Sequence, residues 1–435
     1  MLLQKPKRDT TTMRFENHPL RAAIGPGLLM AGAAVGVSHL VQSTRAGAEY
    51  GLTLLAVVVV TCVLKYPFIE FGPRYAAATG ESMIRGYQRM GRWIVGIFTL
   101  ITLSTMFFIQ ASVTVVTAGL AGLVFGIDAS ITFLSFGVLA ACIAVLAIGH
   151  YRGLDLIMKM IMAALTVSTL AAVVLAFGAG PDWSSMSPLA GWERVWSAAG
   201  IAFVLALLGW MPIPLDVAAW HSLWTLERAK QTGQHPSVRH AVFDVRTGYI
   251  GATVLAALFL LLGALVMYGS GQDFPASAVG FSASLVDMYA SSLGEWSRPL
   301  IAIAALTTMF STTLAVTDAY PRAVRALIEV SGAAGEQDKS PNLHRGQYVT
   351  AMLLITSGAL VIIHYLGHRF TVLIDFTTTV SFLAAPVLAW LSLKLLTGEH
   401  MPTEHRPRGG LLVLAWTGFW FLLLFCLLWV GWRVY

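Results

Sequence analysis

Apolar runs of membrane-spanning length alternate with short polar stretches along the whole chain. A spanning helix needs about 20 largely apolar residues. Eleven runs meet that need, at 20–48, 51–77, 93–125, 129–149, 153–179, 195–226, 243–269, 296–325, 347–366, 369–397 and 410–433. The polar stretches between them are loop-sized. The longest lie around 227–243 and 329–346, and "SGAAGEQDKSP" within the second reads as flexible. No domain boundary shows. The pattern therefore predicts an all-α integral membrane protein: a polar tail at 1–19, one helical core at 20–397, and a loop with a last helix at 398–435.

The charges give this array an orientation. Lys5, Lys7, Arg8, Arg14 and Arg21 precede the first run. Arg85, Arg89 and Arg92 follow the second, Arg152 and Lys159 the fourth, and Arg228, Lys230 and Arg239 the sixth. Arg322, Arg325, Lys339 and Arg345 follow the eighth, and Lys394, Arg406 and Arg408 the tenth. The other loops carry mostly Asp128, Asp182, Glu193, Asp273 and Glu295. Basic loops stay on the cytoplasmic side. The N-terminus is thus expected in the cytoplasm and the C-terminus outside, in a cell (inner) membrane.

Composition agrees. The chain has 435 residues, 57% hydrophobic and 11% charged, where soluble domains carry about 25% charged residues. The net charge of +6 belongs to the loops and implies no nucleic-acid partner. Cys62, Cys142 and Cys426 fall inside apolar runs without metal spacing and read as buried small hydrophobes. The opening "MLLQKPKRDTTTMRFENHPLR" lacks the apolar centre of a signal peptide, so the first run is expected to remain.

Two runs are interrupted at their centres. Gly36-Val37-Ser38-His39 weakens the first, and Gly209 to Asp216, containing Pro212 and Pro214, weakens the sixth. Proline removes a backbone donor and clashes with the preceding turn. Freed backbone groups are tolerated in a membrane only where they line a cavity or are enclosed by protein. The breaks open two successive sets of five helices, and an odd number inverts the second set. Paired breaks in inverted halves point to the binding site of a secondary transporter.

At this point a family resemblance enters. Gly25-Pro26-Gly27, then "VQSTRAGAEYGLTLL", "ATGES" after run two and "HSLWTLER" at the end of run six resemble the Nramp family of proton-coupled divalent-metal transporters. The resemblance covers nearly the whole chain. It implies the LeuT-type fold, five plus five inverted helices with helices 1 and 6 broken, plus helix 11. Its metal motifs are altered. The family's Asp-Pro-Gly-Asn break falls on Gly36, Val37, Ser38 and His39, without an aspartate. The family's Met-Pro-His falls on Met211-Pro212-Ile213, or, aligned from His221-Ser222, its histidine falls on Asp216. The acidic pair of helix 3 falls on Ser112 and Val115, and the glutamine of helix 10 on Thr378.

Two site chemistries follow. A transition metal wants carboxylate, imidazole or thioether ligands, which Asp216, His39 and Met211 could supply if they converged. Alternatively, the uncharged helix-1 break offers hydroxyls, an imidazole and amides near a helix N-terminus, which suits a small anion such as bicarbonate or a zwitterion. Gly36, Ser38, His39, Gln42, Met211, Asp216 and Thr378 are the candidate substrate residues, with Ser43 beside them. Lys65 lies mid-membrane in run two, with Glu70 five residues on. A lone charge there is costly, so it is expected to be paired, with Asp216 as one possible partner, or neutral, or facing water. Ser311, Thr312 and Thr313 occupy the place where LeuT-type carriers hold sodium. Lys65 and these hydroxyls are the candidate coupling-ion residues. Asp318 is expected to meet Arg322. Trp210 and Trp220 flank the second break, while Trp416, Trp420, Trp429 and Trp432 read as an interfacial belt.

No HExxH, G-x-S-x-G or P-loop is present, which argues against an enzyme or an ATP-driven pump. The expectation is a monomeric secondary transporter without cofactor. A proton or sodium gradient would drive it.

Overall fold

A computed structural model describes residues 30, 32, 34–148, 151–180, 191–271, 274–332 and 341–434. The basic N-terminal tail, Gly25 to Gly27, Asp182, Asp273 and Lys339 lie outside the described residues. Among the described residues the regular structure is entirely helical.

The first run bends at Val35 and Gly36, continues as a π-helix over Ser38–Ser43, and ends in α1 (Thr44–Tyr50). Then follow α2 (Leu55–Thr79), the short α3 (Met83–Met90), α4 (Arg92–Phe125), α5 (Ile131–Ile148) and α6 (Tyr151–Gly178). The sixth run is two half-helices, α7 (Ala198–Trp210) and α8 (Val217–Thr232). The rest are α9 (Val238–Val266), α10 (Ala278–Leu293), α11 (Arg298–Ser331), α12 (Pro341–Leu366), α13 (Phe370–Thr397) and α14 (Gly410–Val434). Helices α3 and α10 sit in loops and are additions to the expected spans. Their N-termini are capped by Ser82 and Ser277, whose hydroxyls accept from Arg85 N–H and Gly280 N–H.

Six stretches among the described residues are long and apolar enough to cross a membrane by themselves, and one of these, Arg345–Thr397, contains both α12 and α13. Three shorter apolar helices, Ile131–Ala147, Ala163–Gly178 and Ala198–Trp210, supply other spans. A length test undercounts because the broken helices cross in halves.

The packing obeys an inverted two-fold pattern. Helix α1 seats on α9, and its counterpart α8 seats on α2. Helices α4 and α11, equivalent in the two halves, pack on each other at the centre. Glycines make both seats possible. A Cβ on Gly263 of α9 would lie 2.3 Å from the Thr44 carbonyl oxygen, and one on Gly72 of α2 would lie 2.1 Å from that of Ala218. Neither backbone could approach so closely past a side chain. Helix α14 packs on α2 and α13 at the rim, with Trp420, Leu424, Leu427 and Leu428 facing outward as lipid-exposed surface.

Candidate functional site between the two breaks

The two breaks face each other. Helix α7 ends at Trp210 and α8 begins at Val217, and Met211 to Asp216 between them is not helical. On the other side the interruption sits at Val35 and Gly36, slightly earlier than expected. The residues from Ser38 onward form a π-helix rather than an unwound strand, a form often found at functional sites. Gly36 N–H reaches back to Ala34 O at 2.8 Å, while His39 and Leu40 N–H share Gly36 O at 3.1 and 2.9 Å. Gly36 is required here by contact: a Cβ would lie 2.8 Å from Thr312 Cγ2 of α11.

Ser38 bridges the breaks, its Oγ lying 3.3 Å from Pro212 O. Ser43 donates to Met211 Sδ at 3.7 Å. Between them lies a cavity of about 30 Å³, room for one or two waters. Its polar wall is Ser38 and Thr312. Trp210, Ile213, Pro214 and Trp220 contribute from the second break, and none of the lining residues carries a carboxylate. Of the two positions that compete for the family's helix-6 histidine, Ile213 lines the cavity. Asp216 instead turns to α11, where its Oδ2 accepts from Tyr320 O–H at 3.2 Å, and its Oδ1 is buried with no hydrogen-bond partner among the described residues.

Lys65 is fully buried and does not face water. It does not pair with Glu70, which is held by Arg74 at 2.5–2.9 Å and by the Tyr66 hydroxyl. The Lys65 ammonium donates to Leu208 O and Gly209 O, both at 3.1 Å. These are carbonyls that the end of α7 leaves unpaired, at the negative pole of that half-helix. The lysine therefore caps the break.

The remaining candidates divide. His39 turns away from the second break, with Nδ1 2.8 Å from Ser38 Oγ and Nε2 2.9 Å from Ala252 O of α9. Gln42 donates to Thr378 Oγ1 at 3.3 Å and to Asp375 Oδ1 at 3.1 Å. Thr312 donates to Gly32 O at 2.9 Å, so its hydroxyl bonds the helix-1 carbonyl directly. Thr313 instead meets Thr117 at 2.7 Å on α4, and Ser311 is buried beside it without lining the cavity. Ser112 bonds Thr377 Oγ1 at 2.8 Å. His39, Met211 and Asp216 thus engage three different partners. Among the described residues no group of three His, Cys, Asp or Glu side chains stands ready to hold a metal ion.

Two ion-pair networks tie neighbouring helices together. At one, Arg45 of α1 bonds Asp375 of α13 at 2.8 Å and Glu49 at 3.2 Å, and its guanidinium lies 4.9 Å from the Phe203 ring centroid. At the other, Asp318 takes Arg322 at 2.7 Å, as expected, together with Trp224 Nε1 at 3.3 Å and Tyr348 O–H at 2.7 Å. The Arg45–Asp375 pair went unread in the sequence. Its signal was an arginine inside an apolar run, "VQSTRAG".

Paired broken helices in inverted halves with a small cavity between them are the arrangement of a membrane transporter of the LeuT-type fold. The family model described as natural resistance-associated macrophage protein-like matches residues 27–430, and the chain belongs to that Nramp family. An uncharacterised protein of Pasteurella multocida is 36% identical over 438 residues, covering 99% of this chain and 95% of that one. Among solved structures, a point mutant of the Eremococcus coleocola manganese transporter is similar with a TM-score of 0.71 at 17% identity, over 94% of this chain and 86% of that one. MhsT in complex with L-phenylalanine follows with a TM-score of 0.63 at 14% identity, over 92% and 98%. Mhp1, a nucleobase-cation-symport-1 transporter, has a TM-score of 0.60 at 13% identity, over 94% and 93%.

Proposed function

We propose that the chain carries a small anion, such as bicarbonate, or a zwitterion by alternating access, driven by an ion gradient. Its N-terminus lies in the cytoplasm. The observation that carries this reading is the charge of the cavity between the breaks. Its walls offer the Ser38 and Thr312 hydroxyls and no carboxylate. The Lys65 ammonium is fixed on the carbonyls of α7. A hard or transition dication gives up its water only for several anionic or strongly dipolar ligands. Repulsion from a charged Lys65 scales with the charge of the ion, so a dication meets twice the repulsion of a monovalent cation at the same place. A small anion is spared that repulsion, and the Ser38 hydroxyl on the cavity wall can turn its proton toward it. Trp210 and Trp220 line the cavity on the second-break side. The Arg45–Asp375 pair and the Asp318 network are the contacts that part in turn as each end opens.

The test is uptake by purified protein in proteoliposomes. Mn²⁺, Mg²⁺, bicarbonate and small amino and carboxylic acids are offered under varied proton and sodium gradients. Saturable uptake of an anion or zwitterion is the expected result. Saturable Mn²⁺ uptake abolished by Asp216→Ala or Met211→Ala would overturn the reading in favour of a metal.

A further inference from the structure

We infer that His39 is the coupling-proton site and that Ser38 transmits its protonation state to the cavity, so that a proton and a small anion bind together. The inference rests on the anion reading and names its coupling ion.

The argument is an inventory of hydrogens. Ser38 Oγ lies 2.9 Å from Ala34 O, 3.3 Å from Pro212 O and 2.8 Å from His39 Nδ1. It has one proton to give. His39 Nε2 lies 2.9 Å from Ala252 O, which can only accept, so Nε2 carries a hydrogen. In the neutral ring Nδ1 is then a lone pair and takes the Ser38 proton. Ser38 meets the cavity with oxygen lone pairs, which repel an anion. When Nδ1 gains a proton from water, it becomes the donor and Ser38 Oγ the acceptor. The Ser38 proton is released to turn toward Ala34 O, toward Pro212 O or into the cavity that Ser38 lines. One N–H bond forms and one water-derived proton is consumed. Release reverses the step, and nothing is oxidised.

The charges explain why the two ligands travel together. Burying an unpaired imidazolium or an unpaired anion is expensive, whereas a compensated pair costs far less. Both ring nitrogens of His39 bond neutral groups, a hydroxyl and a peptide carbonyl. The counter-charge is therefore left for the ligand to supply. Among the described residues, the titratable groups on the elements against the π-helix include Asp375 of α13, which accepts from Gln42 at 3.1 Å. Helix α7 carries none; α1 carries Arg45, Glu49 and Tyr50; α9 carries Arg239, His240, Asp244, Arg246 and Tyr249. Arg45 is held by Asp375 and Glu49, the Tyr249 hydroxyl by Cys62 O, and Arg246 by Tyr66. Lys65 and Asp216 are the charges of the opposite break.

The experiment uses the full chain in nanodiscs, labelled with ¹⁵N-histidine. The His39 signal is identified by its loss in His39→Gln. Formate and bicarbonate are the probes, with binding followed in parallel by thermal stabilisation. The expected result is a neutral Nε2–H tautomer without anion and an imidazolium with it. Above the midpoint of free His39, formate affinity falls about tenfold per pH unit in the wild type, as linkage of one proton demands, and is flat in His39→Gln. Ser38→Ala, which keeps the histidine, breaks the link between anion and imidazolium, and it serves as the test if His39→Gln does not fold. Anion binding with His39 still neutral overturns the proton site but leaves the anion reading standing. Failure of both anions to bind overturns both.

Discussion

Lys65 permits a prediction whose size comes from geometry. Its ammonium satisfies Leu208 O and Gly209 O, each at 3.1 Å, at a fully buried position. Lys65→Met deletes both bonds. Each buried carbonyl left unpaired costs about 1–3 kcal/mol, so the loss is about 2–6 kcal/mol. That loss is offset in part because an ammonium no longer has to be desolvated. The offset cancels when two neutral variants are compared. Lys65→Gln also lacks the charge, yet its side-chain amide, one bond shorter, keeps a donor for one of these carbonyls. The difference between Gln and Met therefore isolates the cap. It should be about 2 kcal/mol in favour of Gln, measured by equilibrium unfolding in mixed micelles, with melting followed by fluorescence-detected size exclusion. Equal stability of the two neutral variants would refute the idea that this lysine holds the end of α7. In transport, both variants should admit divalent cations better than the wild type, because both remove the same repulsive charge.

Further substitutions test other parts of the structure. Gly72→Leu forces a side chain against the Ala218 carbonyl, 2.1 Å from where its Cβ would lie. It should cost at least about 1–3 kcal/mol and lower the yield of folded protein on size exclusion. Thr312→Val removes the bond to Gly32 O at 2.9 Å. It should lower stability by about 1 kcal/mol, equally in sodium and potassium buffers; a sodium-dependent difference would count against direct hydroxyl bonding. Asp318→Asn leaves Arg322 with Glu227 at 3.6 Å as its remaining acid. A loss of about 3 kcal/mol is expected in the same unfolding assay, less if water reaches the site. Asp375→Asn removes the charge that ties α13 to Arg45. It should raise labelling of a cysteine placed at Ser43 by a membrane-impermeant thiol reagent, reporting a loosened closure.

Much of the architecture was legible because a bilayer leaves few choices. Apolar length sets the spans, and lysine and arginine set an expected side. Pro212 and Pro214 cannot continue a helix, so the second break was readable to within a residue or two, with α7 reaching Trp210. The first break has no proline. Its place at Val35 and Gly36 depends on how closely helix 1 approaches Thr312, a contact to a residue far along the chain. The loop helices α3 and α10 were missed because amphipathic segments of 8 and 16 residues fall below spanning length.

Site chemistry was only half legible. The alphabet of the two breaks names Ser38, His39, Met211 and Asp216, but not the direction in which each side chain points. His39 turns to the Ala252 carbonyl and Asp216 to Tyr320 because those partners satisfy them in a dry interior. Lys65 looked like half of an ion pair and is a cap on free carbonyls, since the orphan groups of a broken helix exist only once the break has formed. The sequence by itself determined where the long apolar segments and the second helix break fall, consequences of local composition and of prolines that cannot continue a helix. Only the tertiary structure decided which groups share the cavity, because burial and hydrogen bonding across distant segments set side-chain direction, and no local pattern encodes that.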